Sequence, residues 1–533
     1  MKYLVAAEAD KIQDFIFRAA RLREVVGGSQ LLARFCGVEG AVTLADHYGG
    51  GKIISDGGAF LFEFVDKENA NDFGRDLAEL YRRCAGGNLT VADPIGFEAD
   101  EFKEKSKEAK ENLRLNKSAG DVSASAVHLP YTAFCASCGL AVALDHRSKV
   151  KGARANYICS NCFNKDREQA EQKKVFINDF RKAVLQITDD QAAEKSLAEP
   201  EKNDWTDAIG RLDARNYVAY LVADSNGMGR LFSDCDKEQM MLLSDGLTKV
   251  LRESLASPCR ELLKGQPDLA HESLLPIVPL ILGGDDLFAL LPAPWALDLM
   301  RRFCIEYEKG MKTLLGQDEF AGVYEENRPA TISATVVICK SSYPHTLAYN
   351  RARIELKKAK ELARRIEVAK QPLQSVVSFS FIAGHRIDDL ADLQKQLYRS
   401  TRQPYFIREV DKNLGTDVLR LSDLRLSLKD LPAKRRAELK DLYDNPPKHE
   451  DDLDMRWTAE LKTLLERIGR KEKDANSLKK ALKELGNPAA EKGHWTMVDR
   501  FGEDWFGQGL PDLLAIWNYA YKVDQPKSVY DGD

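Results

Sequence analysis

The stretch "ILGGDDLF", Ile281 to Phe288, sets two adjacent carboxylates at the tip of an otherwise apolar hairpin. Neighbouring aspartates repel each other and disfavour strand conformation, so Asp285 and Asp286 are costly there without a cation. A hard divalent ion inverts that cost, because Mg²⁺ or Mn²⁺ takes one or two carboxylates and fills its remaining positions with water and phosphate. Gly283 and Gly284 remove side chains where the backbone turns and where a ligand comes close. A third carboxylate, Asp224, ends the apolar run "YLVAD". If that strand neighbours the hairpin, Asp224, Asp285 and Asp286 converge as ligands of two metal ions roughly 3.5–4 Å apart, the arrangement of in-line phosphoryl displacement. The following "SNGMG" offers Ser225, Asn226 and Gly227 as a turn able to cradle phosphate oxygens. Lys357 and Lys360, three apart on one helix face, could reach a triphosphate, with Lys360 preferred. The competing readings are an exposed Gly-Asp turn and a solvated basic helix face.

Four of the ten cysteines form a second constellation: Cys135-x-x-Cys138, twenty residues, then Cys159-x-x-Cys162. That spacing suits one tetrahedral zinc held by four thiolates at roughly 2.3 Å. Gly139 fits the knuckle turn after the first pair. His128 and His146 are nearby competitors, and four buried free thiols are the alternative. Such a closed site is structural: it staples a segment too polar to build its own core. The other six cysteines read as buried free thiols of a reducing compartment.

The elements that must position these groups occur twice. "KYLVAAEA", a helical stretch interrupted at Gly27-Gly28, the hairpin "KIISDGGAFLFEFV", a helix from "NANDF", and in "NLTVADPIGF" a strand stopped by Pro94 make one set. "YVAYLVAD", a long helix, "PIVPLILGGDDLFALLP", a second helix and "ATISATVVIC" repeat it, with a further helix and strand after. The order predicts the split βαβ arrangement, an antiparallel sheet with helices on one face. Aligning the halves sets Glu8 against Asp224 and "SDGG" near "GGDD", one equipped copy and one depleted. The expected class is α+β, with domains at 1–98 (first split βαβ unit), 99–205 (zinc-binding helical insert), 206–390 (second split βαβ unit) and 391–533 (C-terminal helical bundle). A charged helix at 98–117 reads as solvated, and "EKSLAEPEKND" as a linker. "KGARANY" inside the zinc loop is a candidate RNA contact, against the simpler reading of a solvated loop. The C-terminal tryptophan cluster is bundle core or a docking face.

At 533 residues the chain exceeds one ordinary core, and a net charge of −5 excludes a bulk polycation. The run of five apolar residues before Glu8, Tyr3 to Ala7, is too short for the apolar core of a signal peptide. Apolar runs such as "LLPIVPLIL" fall far short of a membrane span. The expectation is a cytoplasmic protein without membrane contact.

"DKIQDFIFRAARLREVVGGSQLL", the paired CxxC motifs, "VADSNGMG" and "GGDD", in that order over about residues 1–390, resemble the polymerase-like, GGDD-bearing large subunit of type III CRISPR effector complexes. That family is related to GGDEF diguanylate cyclases and class III adenylyl cyclases. The resemblance implies two ferredoxin-like palm domains and a Mg²⁺- or Mn²⁺-dependent joining of ATP 3′→5′ into cyclic oligoadenylates, an antiviral alarm. It implies Asp224, Asp285 and Asp286 as metal ligands, Gly283 and Gly284 lining the nucleotide, and partner subunits with guide and target RNA. Many relatives carry an N-terminal HD nuclease; no His-Asp dipeptide occurs here, so none is expected. The first palm, with "SDGG", is expected to be catalytically silent. The alternatives are a free-standing cyclic (di)nucleotide synthase and a non-catalytic ribonucleoprotein scaffold.

Overall fold

The computed structural model describes residues 1–19, 21–119, 132–146, 156–189, 192, 205–266, 268–269, 274–323, 328–382, 398–410, 416–446, 457–468, 472–485, 496–499 and 504–527. Strand β1 (Lys2–Ala9) buries Leu4 to Ala7, and so needs neighbours on both sides. It pairs antiparallel with β3 (Ala59–Phe64) on one side, and with β4 (Leu89–Val91) and β5 (Ile95–Phe97) on the other. β2 (Gly51–Asp56) flanks β3. The strand at "NLTVADPIGF" stops before Pro94, which has no N–H for the ladder, and a second short strand, β5, follows it.

Helices α1 (Ile12–Phe17), α2 (Leu22–Cys36) and α3 (Thr43–His47) lead from β1 to β2, and α4 (Lys67–Ala85) leads from β3 to β4. The interruption expected at Gly27-Gly28 does not occur. A Cβ on Gly27 would lie 1.9 Å from the Lys165 carbonyl oxygen, so α2 stays continuous and uses its glycines to let another backbone in. That backbone is α6 (Ser160–Leu185), the helix after the second cysteine pair. Helix α5 (Phe102–Ala119), expected to be solvated, lies against β1, β4 and β5 and buries Phe102, Ala109 and Leu113. Two short strands, β6 (Asp145–His146) and β7 (Tyr157–Ile158), pair antiparallel beside the cysteines.

After α7 (Trp205–Gly210) the strand pattern restarts. Central β8 (Tyr217–Ser225) pairs antiparallel with β10 (Asp286–Pro292), which pairs with β9 (Val278–Gly283), and on its other edge with β11 (Ile332–Lys340). The order β11-β8-β10-β9 repeats the first sheet's β4-β1-β3-β2. α8 (Met228–Asp234) and α9 (Lys237–Gly265) follow β8, α10 (Ala296–Leu315) follows the hairpin, and α11 (His345–Val368) leads to β12 (Val376–Phe381).

Two expectations are corrected here. β12 runs parallel to β11, because a helix crossover returns it in the same direction. The helices cover both faces, not one. Asp224, Val222 and Tyr220 share a face with Asp286 and Phe288, where Tyr349 of α11 packs on Phe288 at 5.3 Å; Ser225, on the opposite face, hydrogen-bonds Tyr307 of α10 at 2.7 Å. Continuous burial of β8 and β11 demands this double cover.

The two sheets are joined directly. Phe17 of α1 stacks on Tyr349 of α11, with ring centroids 3.5 Å apart, and meets Phe288 edge-on. Lys52 pairs with Asp245 and Lys237 with Glu63 across the junction, at 3.1 and 2.7 Å.

The C-terminal part is less purely helical than expected. It holds α12 (Leu419–Ser427), α13 (Ala433–Asp444), α14 (Thr458–Ile468), α15 (Glu472–Leu485) and α16 (Leu510–Ala515). It also holds a small sheet of β13 (Tyr398–Arg399), β16 (Asp504–Gly507) and β15 (Thr496–Asp499), while β14 (Tyr405–Phe406) adds antiparallel to β12. Trp517 is buried here, as core. Among the described residues no helix is long and apolar enough to cross a membrane.

Candidate active site

Asp224 and Asp286 are register partners across the β8–β10 ladder, and Asp285 sits in the turn beside them. Two like charges directly opposite on one sheet face are destabilising, so this pairing is a cost that packing alone does not explain. The turn is built to hold it. Gly284 has φ +60, which a glycine takes without strain, and the Ser225 N–H donates to the Asp285 carbonyl at 3.3 Å, stitching strand end to turn.

Ser225 is buried and its hydroxyl is engaged with Tyr307. Asn226 donates from its side chain to Thr331 Oγ1 at 3.0 Å, accepts from Ser333 Oγ at 2.9 Å, and donates from its backbone to Thr331 O at 2.9 Å. These two side chains therefore lock the end of β8 against the turn and β11. Gly227, at φ +69, starts α8.

Electrostatics mark the same spot. Asp286 is pushed up to about 7, first by the crowding of surrounding protein and then by the Asp224 and Asp285 charges. Its side chain nonetheless keeps a solvent-open side, so a ligand has access. Asp285 is also raised, by burial and then by Asp224. The Lys360 ammonium of α11 forms an ion pair with Asp224 and eases both neighbours downward. Lys360 thus lies at the site, while Lys357 is exposed on the same helix. Arg353, not singled out from the sequence, acts on Asp286; its spacing of four and seven from Lys357 and Lys360 was the available signal. Three carboxyl groups crowded at one rim of the sheet are a donor set that suits hard divalent cations.

The first sheet carries the equivalent tip. Glu8 pairs with Ala59 as Asp224 pairs with Asp286, and Asp56 pairs with Ala59 as Gly283 pairs with Asp286. Glu8 therefore stands where Asp224 does, while Gly58 and Ala59 replace Asp285 and Asp286. Lys117 of α5 bridges Glu8 at 2.7 Å and Asp10 at 3.4 Å, echoing Lys360 on Asp224. The turns differ: Gly57 and Gly58 both have positive φ, +58 and +82, whereas in the second tip only Gly284 does. The two tips abut. Asp56 Oδ2 accepts from the Gly284 N–H at 3.1 Å, a contact the sequence reading missed because its partners are 228 residues apart.

The four cysteines converge. Their sulfurs all lie within 4.8 Å of one another, and Cys138 Sγ and Cys159 Sγ are 3.8 Å apart. A tetrahedral ion with bonds of about 2.3 Å sets its sulfurs about 3.8 Å apart, so the spacing fits zinc. The N–H groups of Ser137 and Cys138 both point at Cys135 Sγ, at 3.4 Å, as in a zinc knuckle. Buried Glu24 of α2 accepts from Ser137 Oγ, tying the knuckle to the first half. Among the described residues this is the one group close enough to share a single ion; the three carboxylates do not close to that spacing, with Lys360 seated on Asp224. His128, Lys151 to Ala155 of "KGARANY", and the linker "EKSLAEPEKND" lie outside the described residues.

Residues 217–369 match the family model of the Cas10/Cmr2 second palm domain, which spans β8 to α11 and contains Asp224, Asp285, Asp286 and Lys360. The resemblance read from the sequence holds over this stretch. By structure, the chain aligns with a Csm1–Csm4 cassette in complex with cA3 (13% identity, 98% of this chain, 70% of that one, TM-score 0.48). It also aligns with an apo Csm1–Csm4 cassette (14%, 87% and 64%, TM-score 0.47) and one in complex with cA4 (13%, 68% and 53%, TM-score 0.42). The chain thus spans about half of the length of the last. No curated protein matches the sequence.

Proposed function

We propose, for a chain whose residues 217–369 match the second palm of the Cas10/Cmr2 large subunits of type III CRISPR complexes, that it is a metal-dependent nucleotidyltransferase. In this reading it joins ATP 3′→5′ into cyclic oligoadenylates as the signalling subunit of an antiviral complex with other protein subunits, guide RNA and target RNA in the cytoplasm. The observation that carries it is the Asp224–Asp286 register pair with Asp285 in the adjoining turn: like charges facing each other at the rim of the sheet. The strand order β11-β8-β10-β9, repeated in the first sheet, supports two ferredoxin-like palms at 1–98 and 206–390. The zinc-binding insert at 99–205 and a C-terminal helical domain at 391–533 complete the domain reading.

Asp224, Asp285 and Asp286 would hold two Mg²⁺ or Mn²⁺ ions. Bound there, the ions would favour ionisation of an attacking 3′-hydroxyl and neutralise triphosphate charge. Lys360, now paired with Asp224, would be free for a phosphate once a cation neutralised that carboxylate, with Lys357 further out on the helix. Gly283 and Gly284, at the place where the first hairpin abuts the second, would line the nucleotide. The side chains and the backbone N–H groups of Ser225 and Asn226 are spent on holding the strand end, so within this turn a phosphate contact would fall to Gly227 at the start of α8. Cys135, Cys138, Cys159 and Cys162 would hold one structural zinc. The first palm keeps one of the three acids and would be silent.

Incubating the chain with labelled ATP and Mg²⁺ or Mn²⁺, alone and with guide complex and target RNA, tests the reading. Product only with target RNA supports it. Product from the lone chain makes it a free-standing synthase, and no product in any condition leaves a scaffold.

A further inference from the structure

We propose that Asp56, in the acid-poor first hairpin, is a positioning residue for the Gly284–Asp285 turn of the second. This rests on the nucleotidyltransferase reading for its consequence, though not for its geometry.

One carboxylate serves both tips. Oδ1 accepts from its own turn, the Gly57 N–H at 2.8 Å, which is the ordinary use of an aspartate before a Gly-Gly hairpin. Oδ2 is turned outward to two donors of the second half: the Gly284 N–H at 3.1 Å and the Thr248 hydroxyl at 2.8 Å. Thr248 lies on α9, and Asp245, three residues earlier on the same face, pairs with Lys52 of β2 at 3.1 Å. The first hairpin is therefore fixed to α9 at two points, and through Asp56 it holds the backbone N–H next to Asp285. Glycines line the approach, and at Gly57 and Gly284 they supply the positive φ of +58 and +60 that the two turns need. A Cβ on Gly57 would come 3.4 Å from Gly284 Cα, and the bare Gly283 leaves Asp56 Oδ1 3.6 Å from where its Cβ would be. The symmetric position, Gly283, carries no carboxylate, so the clamp runs one way, from the first copy to the second.

A hydrogen bond to a charged acceptor is worth more than a neutral one, so its loss loosens the turn. Hydrogen exchange of the full chain, read at the peptides covering 281–288, tests this without reference to product. Asp56→Ala should speed exchange at Gly284 by about tenfold or more while exchange elsewhere in β8 and β10 stays near wild type. Asp56→Asn, whose amide accepts through one oxygen only, should give a smaller increase, and Thr248→Val a smaller one again. In the ATP assay, Asp56→Ala should lower kcat by about tenfold with little change in KM, partly restored in Asp56→Asn. Unchanged Gly284 exchange in Asp56→Ala overturns the proposal. So does a loss of product no greater than the loss of folded protein. If Asp56→Ala fails to fold, Thr248→Val and Asp56→Asn decide by the same exchange measurement. If wild type forms no product at all, the functional reading fails and the exchange result still stands for Asp56.

Discussion

Metal binding at the acidic tip should release a proton, with a pH dependence set by Asp286. That carboxyl is pushed up to about 7, so about a tenth of it is ionised near pH 6 and about nine tenths near pH 8. A divalent cation takes the carboxylate form, so the proton must leave first. The sign follows: affinity rises with pH up to about 7 and is level above. Mn²⁺ should bind about tenfold more tightly near pH 8 than near pH 6, with about one proton released at the lower pH and almost none at the higher. Calorimetric titration of Mn²⁺ into the chain, in two buffers of different ionisation enthalpy, counts those protons. Lys360→Gln supplies the internal control. Lys360 lowers both Asp285 and Asp286, so its removal should move the inflection to higher pH. Level affinity across this range with no proton released near pH 6 would refute the coupling. An unmoved inflection in Lys360→Gln would refute the role given to the lysine.

Asp285→Ala with Asp286→Ala should bring oligoadenylate formation to background while circular dichroism and zinc content stay at wild-type values. In the metal-free chain the folded Asp286 has a higher pKa than the unfolded one, so the protein should lose stability as pH rises from about 4 to about 7; Asp286→Asn should raise the melting temperature near pH 8. Elemental analysis should find one zinc per chain, and Cys162→Ser should release it and lower the melting temperature. Gly27→Ala places a methyl 1.9 Å from the Lys165 carbonyl oxygen and should cost about 1–3 kcal/mol or more in chemical denaturation.

The site was legible where chemistry and local pattern coincide. Gly283 to Asp286 sits between apolar runs that can only be paired strands, and the cysteine pairs have a spacing that suits one ion. The repeated strand order was legible too, because period-two runs and Gly-rich turns are local signals. What escaped depends on partners far along the chain. Gly27 reads as a helix breaker until the Lys165 backbone, from a helix beyond the cysteines, is seen against it. Asp56 reads as a plain turn residue until Gly284 donates to it. Helices on both sheet faces had a signal that went unused: "YVAYLVA" is continuously apolar, not alternating. Strands of two to four residues such as β13 and β15 are too short to show a period.

The unlike turns at the two tips bear on how the duplicated halves could change. Gly58 stands at φ +82, where an aspartate would be strained, whereas Asp285 at the matching place has an ordinary φ. Writing the missing acids back into the first half would therefore not re-arm it; the main chain itself has been refitted. The two hairpins differ in main chain as well as in side chains, so the first would have to be recast before any carboxylate placed there could serve.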